Sequence, residues 1–209
     1  MTSQATRLFL SIDIVHSKRV KAEMVRRGQS WLPLFRDLFE SFPLILIGRL
    51  AQRFTDRLSL PPCAMWKALG DEIIFEATTA KSRERVILVA GFHDAIAQFD
   101  GRNREQGGHG VKGCCWEVPI DRRNAVITIP EMAGSSTGVY EDVIGPDMDI
   151  GFVMARSASG GQTIVGASLA QRMNRFANVT GLTATAHENF PDPSDETRRV
   201  HTFLLAERR

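Results

Sequence analysis

Hydrophobic positions along the chain fall into short blocks with two different periods. Leu8-Phe9-Leu10-Ser11-Ile12-Asp13-Ile14 is a nearly continuous apolar run, the pattern of a buried strand, and it ends near Asp13. His16-Ser17 opens a helical stretch that Gly28 and Pro33 divide in two, since proline fixes φ and lacks a donor. In the second piece Leu34, Phe35, Leu38, Phe39 and Phe42 recur at helical spacing, which assigns them to the core. Cys63–Leu69 and Glu72–Ala77 read as strands joined by Gly70-Asp71, a hairpin signal. Ser82 to Phe99 predicts an amphipathic helix with Val86, Val89, Ala90, Ile96 and Ala97 on one face and Ser82 as N-cap. The polar, Gly-rich stretch from Gly101 to Gly110 predicts a loop.

Val111–Val118 and Ala125–Pro130 read as a second strand pair turned by Asp121-Arg122-Arg123-Asn124. A Gly/Ser-rich loop follows at Ala133–Gly138. Pro146 to Ser159 predicts a helix with proline in its first turn, where the missing N–H is harmless. Thr163–Val165 is a short strand, Ala167–Phe176 a helix, and Leu182–Ala186 and Val200–Leu205 are late strands. Hairpin-linked strands interleaved with helices favour an α+β fold over a doubly wound parallel sheet.

Composition narrows the class. At 209 residues one domain over 1–209 is the default expectation, and 43% apolar with 24% charged residues is ordinary globular usage. A net charge of +2 gives no support for nucleic-acid or membrane binding. The three cysteines, Cys63, Cys114 and Cys115, are odd in number and have no zinc spacing, which points to a reducing, cytoplasmic compartment. The N-terminus lacks the apolar core and cleavage site of a signal peptide, and Phe42–Gly48, the longest apolar run, is too short to span a membrane.

Two carboxylates stand out as chemistry. Asp13 lies at the C-terminal end of a strand and Asp71 at the tip of a hairpin. If those strands are neighbours, both carboxylates reach one rim of the sheet and supply the oxygen ligands that hard divalent cations prefer. Aspartate is also favoured at helix starts and in turns for its own sake.

The order of neighbouring motifs adds to this. Ser11-Ile12-Asp13-Ile14-Val15-His16-Ser17, Lys67-Ala68-Leu69-Gly70-Asp71-Glu72 and Asp142-Val143-Ile144-Gly145-Pro146-Asp147-Met148-Asp149 resemble the three signature stretches of class III nucleotidyl cyclases, in that family's order. The resemblance runs from about Leu8 to Leu205. Val111-Lys112-Gly113-Cys114-Cys115-Trp116, Trp66–Glu72 and Ile144–Phe152 narrow it toward the stand-alone bacterial pyrimidine cyclases of Pycsar antiphage defence.

The resemblance implies a mainly antiparallel sheet flanked by helices, acting as a homodimer with two shared sites. It implies cyclisation of UTP, with CTP next, to the 3′,5′-cyclic monophosphate, which activates a separate effector. Asp13 and Asp71, with the Ile14 carbonyl, would hold two Mn²⁺ or Mg²⁺ ions. Backbone N–H groups of Val15, His16 and Ser17 would cradle phosphate oxygens. Lys67 and Asp142 match the base-reading positions, Tyr140 borders the base, and Arg199, beside Arg198 ahead of the final strand, would meet the triphosphate. The family's transition-state Asn and Arg fall on Asp149 and Val153; Asp149 can hold the ribose hydroxyl, and Arg156, on nearly the same helical face as Val153, is the substitute cation. The same Lys67/Asp142 pair would serve adenine, so an adenylyl cyclase is one alternative. Valine at the arginine position motivates another, a nucleotide-binding module without turnover. His93 reads as structural, and His16 lacks the partner spacing of a general base. There is no Gly-x-x-x-x-Gly-Lys-[Ser/Thr] loop and no dinucleotide fingerprint.

Overall fold

The computed structural model describes residues 6–55, 61–106, 108–129 and 140–208. Strand β1 (Thr6–Ile14) leads to helices α1 (Ser17–Arg26) and α2 (Leu32–Arg53), the hairpin β2 (Cys63–Leu69)–β3 (Glu72–Ala77), and helix α3 (Ser82–Glu105). Then come β4 (Val111–Pro119), β5 (Ala125–Ile129), β6 (Tyr140–Ile144), α4 (Pro146–Ala155), β7 (Thr163–Gly166), α5 (Ala167–Arg175), α6 (Ala177–Thr180) and the hairpin β8 (Leu182–Asp192)–β9 (Asp195–Glu207). Seven strands form one sheet in the order β2-β3-β1-β4-β7-β9-β8. Among the described residues only the β4–β7 pairing is parallel, so the fold is α+β with a mainly antiparallel sheet, as expected.

Both faces of the sheet are covered, which explains the unbroken apolar character of β1. Leu8, Leu10, Ile12 and Ile14 face the layer of α2, α3 and α5, where Phe42, Phe92 and Leu169 are fully buried. Phe9 faces the other way, with Cys114, Trp116 and Val118 of β4, Val143 of β6 and Met148 and Met154 of α4. Asp13 and Ser11 share the Phe9 side by alternation. Gly28, at φ 68, follows α1, and Pro33 sits in the first turn of α2, so the predicted division stands.

Four expectations change. Helix α3 runs on to Glu105, into the first half of the predicted loop. One long-range contact and one local pair override its Gly101: Arg102 reaches Asp37 of α2 at 2.5 Å, and Arg104 pairs with Asp100 one turn back at 2.6 Å. Strands β4 and β5 do not pair with each other. The Asp121–Asn124 turn forms, with Asp121 Oδ1 accepting from Arg123 N at 2.7 Å, but β4 is already flanked by β1 and β7. Strand β5 instead pairs with β6 in a separate two-stranded ribbon. The late strands are longer than their apolar cores, so Arg198 and Arg199 lie inside β9 rather than ahead of it. The predicted helix from Pro146 to Ser159 stops at Ala155, and the Ala133–Gly138 loop lies outside the described residues.

Helix α4 is seated by two close approaches. Asn124, fully buried, donates from Nδ2 to Pro119 O at 3.0 Å and to Asp147 Oδ2 at 2.6 Å, and its Oδ1 accepts from Asp147 N at 3.1 Å. One turn on, Gly151 lies directly on the indole of Trp116, where a Cβ would fall 2.2 Å from Cε2. The Gly151→Ala variant is therefore expected to lose about 2–3 kcal/mol of stability, read from the urea unfolding midpoint, because neither helix nor indole can retreat without opening the core.

Candidate active site

Register brings the two predicted carboxylates together. β1 pairs with β3 so that Asp13 stands opposite Glu72, and Asp71 is the residue just beyond, in the β2–β3 turn. The turn is tight because Gly70 adopts φ 70. The Asp13 and Asp71 carboxyl groups lie within hydrogen-bonding reach of each other. On the far side β4 places Lys112 opposite Asp13, with Nζ 3.4 Å from Asp13 Oδ2. Lys21 of α1 approaches Asp71 at 3.8 Å, and Ser11 donates to Glu72.

The electrostatics are those of crowded, partly buried carboxylates. Burial pushes the Asp13 carboxyl up to about 7 from 3.8; its hydrogen bond with Asp71 and the like charges of Asp71 and Glu72 add to this, and Lys112 opposes it. Glu72 is also raised, chiefly by burial, while the Ser11 hydroxyl and Lys112 hold it back.

Ile14 adds an oxygen. The backbone groups of Val111, its β4 neighbour, are engaged elsewhere: N–H with Asp100 Oδ1 at 2.9 Å, carbonyl with Gly161 N at 2.7 Å. By ladder alternation the Ile14 carbonyl therefore turns toward the Asp71 side. Among the described residues no three or more Asp, Glu, His or Cys side chains converge as a metal cluster. Two carboxylates and a carbonyl still make an all-oxygen donor set, incomplete in itself, that fits a hard divalent cation completed by phosphate or water.

The chain after Ile14 turns sharply. His16 is the N-cap of α1 and, among the described residues, the only non-glycine with positive φ, at 56. Among the described residues no side chain caps α1, and Ser17 is buried at its start. The Val15 N–H, expected to be open to phosphate, is taken by the Gly110 carbonyl at 2.9 Å. That bond fixes the turn and takes Val15 out of the set of N–H groups that open α1, a helix start being a place that favours anions in general.

Lys67 and Asp142 meet directly at 2.5 Å, joining the edge strand β2 to the β5–β6 ribbon. Trp66 strengthens the junction: its Nε1 donates to Glu141 O at 3.0 Å, and the Lys67 ammonium lies 4.4 Å from its ring centre. Tyr140 begins β6 and Asp142 lies at its centre. Asp149 is exposed on α4; Arg156, exposed at the helix end, keeps α-helical dihedrals and so continues the same face two turns on. Arg199 is bound across the β8–β9 hairpin, Nη2 to Asn189 Oδ1 at 2.5 Å. Register sets Arg199 toward the Pro119 end of β4 and Asp13 beside Lys112 at the other end, so Arg199 does not converge with Asp13 within one chain. His93 is structural, as expected, with Nδ1 3.0 Å from Thr163 Oγ1.

Glu72, Ser11 and Lys112 are members of the acidic rim that sequence reasoning did not single out. Glu72 was adjacent to a chosen residue, and Ser11 shares its face with Asp13 two positions on. Lys112 carries no local signal, because only strand register opposes it to Asp13.

No protein-family model matches the sequence, and neither does any curated protein. Solved structures do. The adenylyl cyclase CyaB from P. aeruginosa superposes with a TM-score of 0.68 at 12% identity, covering 99% of this chain and 96% of that one. The guanylate cyclase domain of RhGC from Catenaria anguillulae, in complex with GTP, matches at 0.60 and 10% identity over 99% and 98% of the two chains. A dimeric guanylyl cyclase domain of the RhoGC fusion protein from Blastocladiella emersonii gives 0.59 at 9% identity over 99% and 98%. This chain has the fold of adenylyl and guanylyl cyclase domains. No helix among the described residues is long and apolar enough to cross a membrane.

The crowded rim has a stability consequence. With Asp13 raised to about 7 in the fold, the folded state binds a proton that the unfolded chain has released between pH 4 and 7. Stability of the metal-free protein therefore falls as pH rises through that window. Asp13→Asn is expected to flatten the fall and to be about 1–2 kcal/mol more stable than wild type at pH 8 in chelator, the difference fading toward pH 4, measured by thermal unfolding across pH.

Proposed function

We propose that the chain is a pyrimidine nucleotide cyclase, converting UTP, and CTP next, to the 3′,5′-cyclic monophosphate and pyrophosphate. The observation that carries this reading is the Asp13–Asp71 carboxyl pair on the rim of a cyclase-type sheet. In the reaction the ribose O3′ attacks the α-phosphorus, the bond to the bridging oxygen of the β-phosphate breaks, pyrophosphate leaves, and the 3′-hydroxyl proton passes to water. Two Mn²⁺ or Mg²⁺ ions, when bound, supply hydroxyl activation and charge neutralisation.

The chain's own residues do the rest. Asp13, Asp71 and the Ile14 carbonyl hold the ions. The N–H groups at the start of α1, from His16 and Ser17 onward, receive phosphate oxygens, and the Val15–Gly110 bond keeps that turn in place. Lys67 donates to a uracil carbonyl and Asp142 accepts from uracil N3–H once the base parts them, with Tyr140 beside it. Asp149 accepts from the ribose hydroxyl, and Arg156 and Arg199 face phosphoryl charge. Since Arg199 and the acidic rim are apart in one chain, the site is completed by a second copy. Exposed apolar side chains on β2 and the ribbon support that homodimer: Met65 is 58% exposed and Ile144 48%. A cytoplasmic enzyme signalling to a separate effector in antiphage defence is the physiological setting that fits.

Val153 in place of a cation favours one competing reading, a nucleotide-binding module. Purified protein with Mn²⁺ and each of the four NTPs decides by product identity: cyclic UMP is expected to dominate, and Asp13→Ala or Asp71→Ala to lower its rate about 10³-fold or more. A cyclic AMP product makes the chain an adenylyl cyclase, and binding without any cyclic product makes it the module. The shared site has its own assay. An equimolar mixture of Asp13→Ala and Lys67→Ala, each inactive alone, is expected to recover up to about a quarter of wild-type activity, since half the dimers then hold one intact site of two. A mixture as silent as its components would place every residue of the site in one chain.

A further inference from the structure

Lys112 is placed where two elements of the site meet. Glu72, Asp13 and Lys112 stand opposite one another across β3, β1 and β4, on the face of the sheet that α4 covers. The Lys112 side chain is only 15% exposed. Its ammonium lies 3.4 Å from Asp13 Oδ2 and donates to the Ala155 carbonyl at 3.0 Å. Ala155 is the last residue of α4, whose terminal carbonyls carry partial negative charge and favour a cation. One charge thus touches both the carboxylate at the rim and the end of the helix bearing Asp149 and Arg156. The contact with Asp13 is a single long approach, whereas that with Ala155 has ordinary hydrogen-bond length.

We propose that Lys112 is a positioning residue that holds the cation's place at Asp13 and yields it on metal binding, staying anchored to the end of α4. The proposal rests on the metal-site reading given above. Without a divalent ion, the ammonium relieves the Asp13 and Glu72 carboxylates, while Lys21 stands beside Asp71. With one, it keeps the ribose-facing helix at a set height over the rim, at the cost of repelling the ion it stands beside. Removing the charge therefore tightens metal binding while loosening the helix.

The test uses Mn²⁺ alone, with free ion counted by electron paramagnetic resonance, on the full chain. Lys112→Met, of similar length and no charge, is expected to bind Mn²⁺ about tenfold more tightly than wild type, the order of effect for one nearby charge in a partly buried site. Its metal-free melting temperature is expected to fall, and its Tm gain on adding Mn²⁺ to exceed that of wild type. Lys112→Arg keeps the charge and is expected to bind Mn²⁺ as wild type does. A residue that only packs would lower Tm and leave the Mn²⁺ dissociation constant unmoved, so unchanged or weaker binding in Lys112→Met overturns the proposal. Wild-type binding that Asp71→Ala abolishes, with no gain in Lys112→Met, overturns the proposal alone. Wild type that binds no Mn²⁺ overturns the metal site along with it.

Discussion

The register of β1 between β3 and β4 is the constraint on which the site depends. A strand with both neighbours paired and both faces covered cannot slip by one residue without turning Leu8, Leu10, Ile12 and Ile14 out of one core and Phe9 out of the other. The same register stands Asp13 between Glu72 and Lys112 and brings Asp71 to its carboxyl group. The apolar residues thus determine where the charges go. They hold like charges closer than those charges would settle by themselves, and the fold absorbs that repulsion because the hydrophobic cost of slipping is larger.

How much of this was legible depended on whether a signal was local. The Gly70-Asp71 hairpin, the end of β1 and the Pro33 boundary of α2 are set by neighbours in sequence, and all were read directly. The partner of β5 was not, because adjacency in sequence is the only guide to pairing without coordinates, and β4 has two better partners elsewhere in the sheet. The last turns of α3 depend on Asp37, a distant residue in α2, which together with the local Asp100–Arg104 pair outweighs a glycine that reads as a break. The outer ends of β8 and β9 are mostly exposed and polar, with Phe190 and Val200 packed on the core and Asp192 buried, so they show no apolar alternation to read. The site divides the same way. Asp13 and Asp71 belong to motifs that carry ligand roles, whereas Lys112, though part of the Val111–Trp116 stretch, meets Asp13 only through register.

α4 shows how a helix with little amphipathic signal is nonetheless fixed. Asn124 holds its start, Gly151 seats its middle on Trp116, and Lys112 takes the carbonyl at its end. Gly145, just ahead of it, has φ 145 and lies so near Asn124 that a Cβ would fall 2.5 Å from Oδ1. These contacts are polar or steric rather than hydrophobic, and they are spaced about a turn or more apart. A helix held at three points cannot roll, so its solvent face is fixed along with its buried one.

On the proposed function, that rigidity bears on the arginine that the resemblance implies where this chain has Val153. Val153 and Arg156 are three residues apart, which is about 4.5 Å along a helix axis and about 60° of rotation. Helical side chains lean toward the N-terminus, so an arginine at 156 leans back toward the turn occupied by Val153 and Asp149. Its long side chain is enough to cover that rise. A guanidinium rooted one turn late can then meet charge that develops over Val153, provided the end of the helix does not fray. Arg156 is itself the cap, where fraying begins, and Lys112 binds the carbonyl immediately before it. On the proposed function, the same ammonium that neutralises the acidic rim also keeps the displaced arginine within reach of the phosphate.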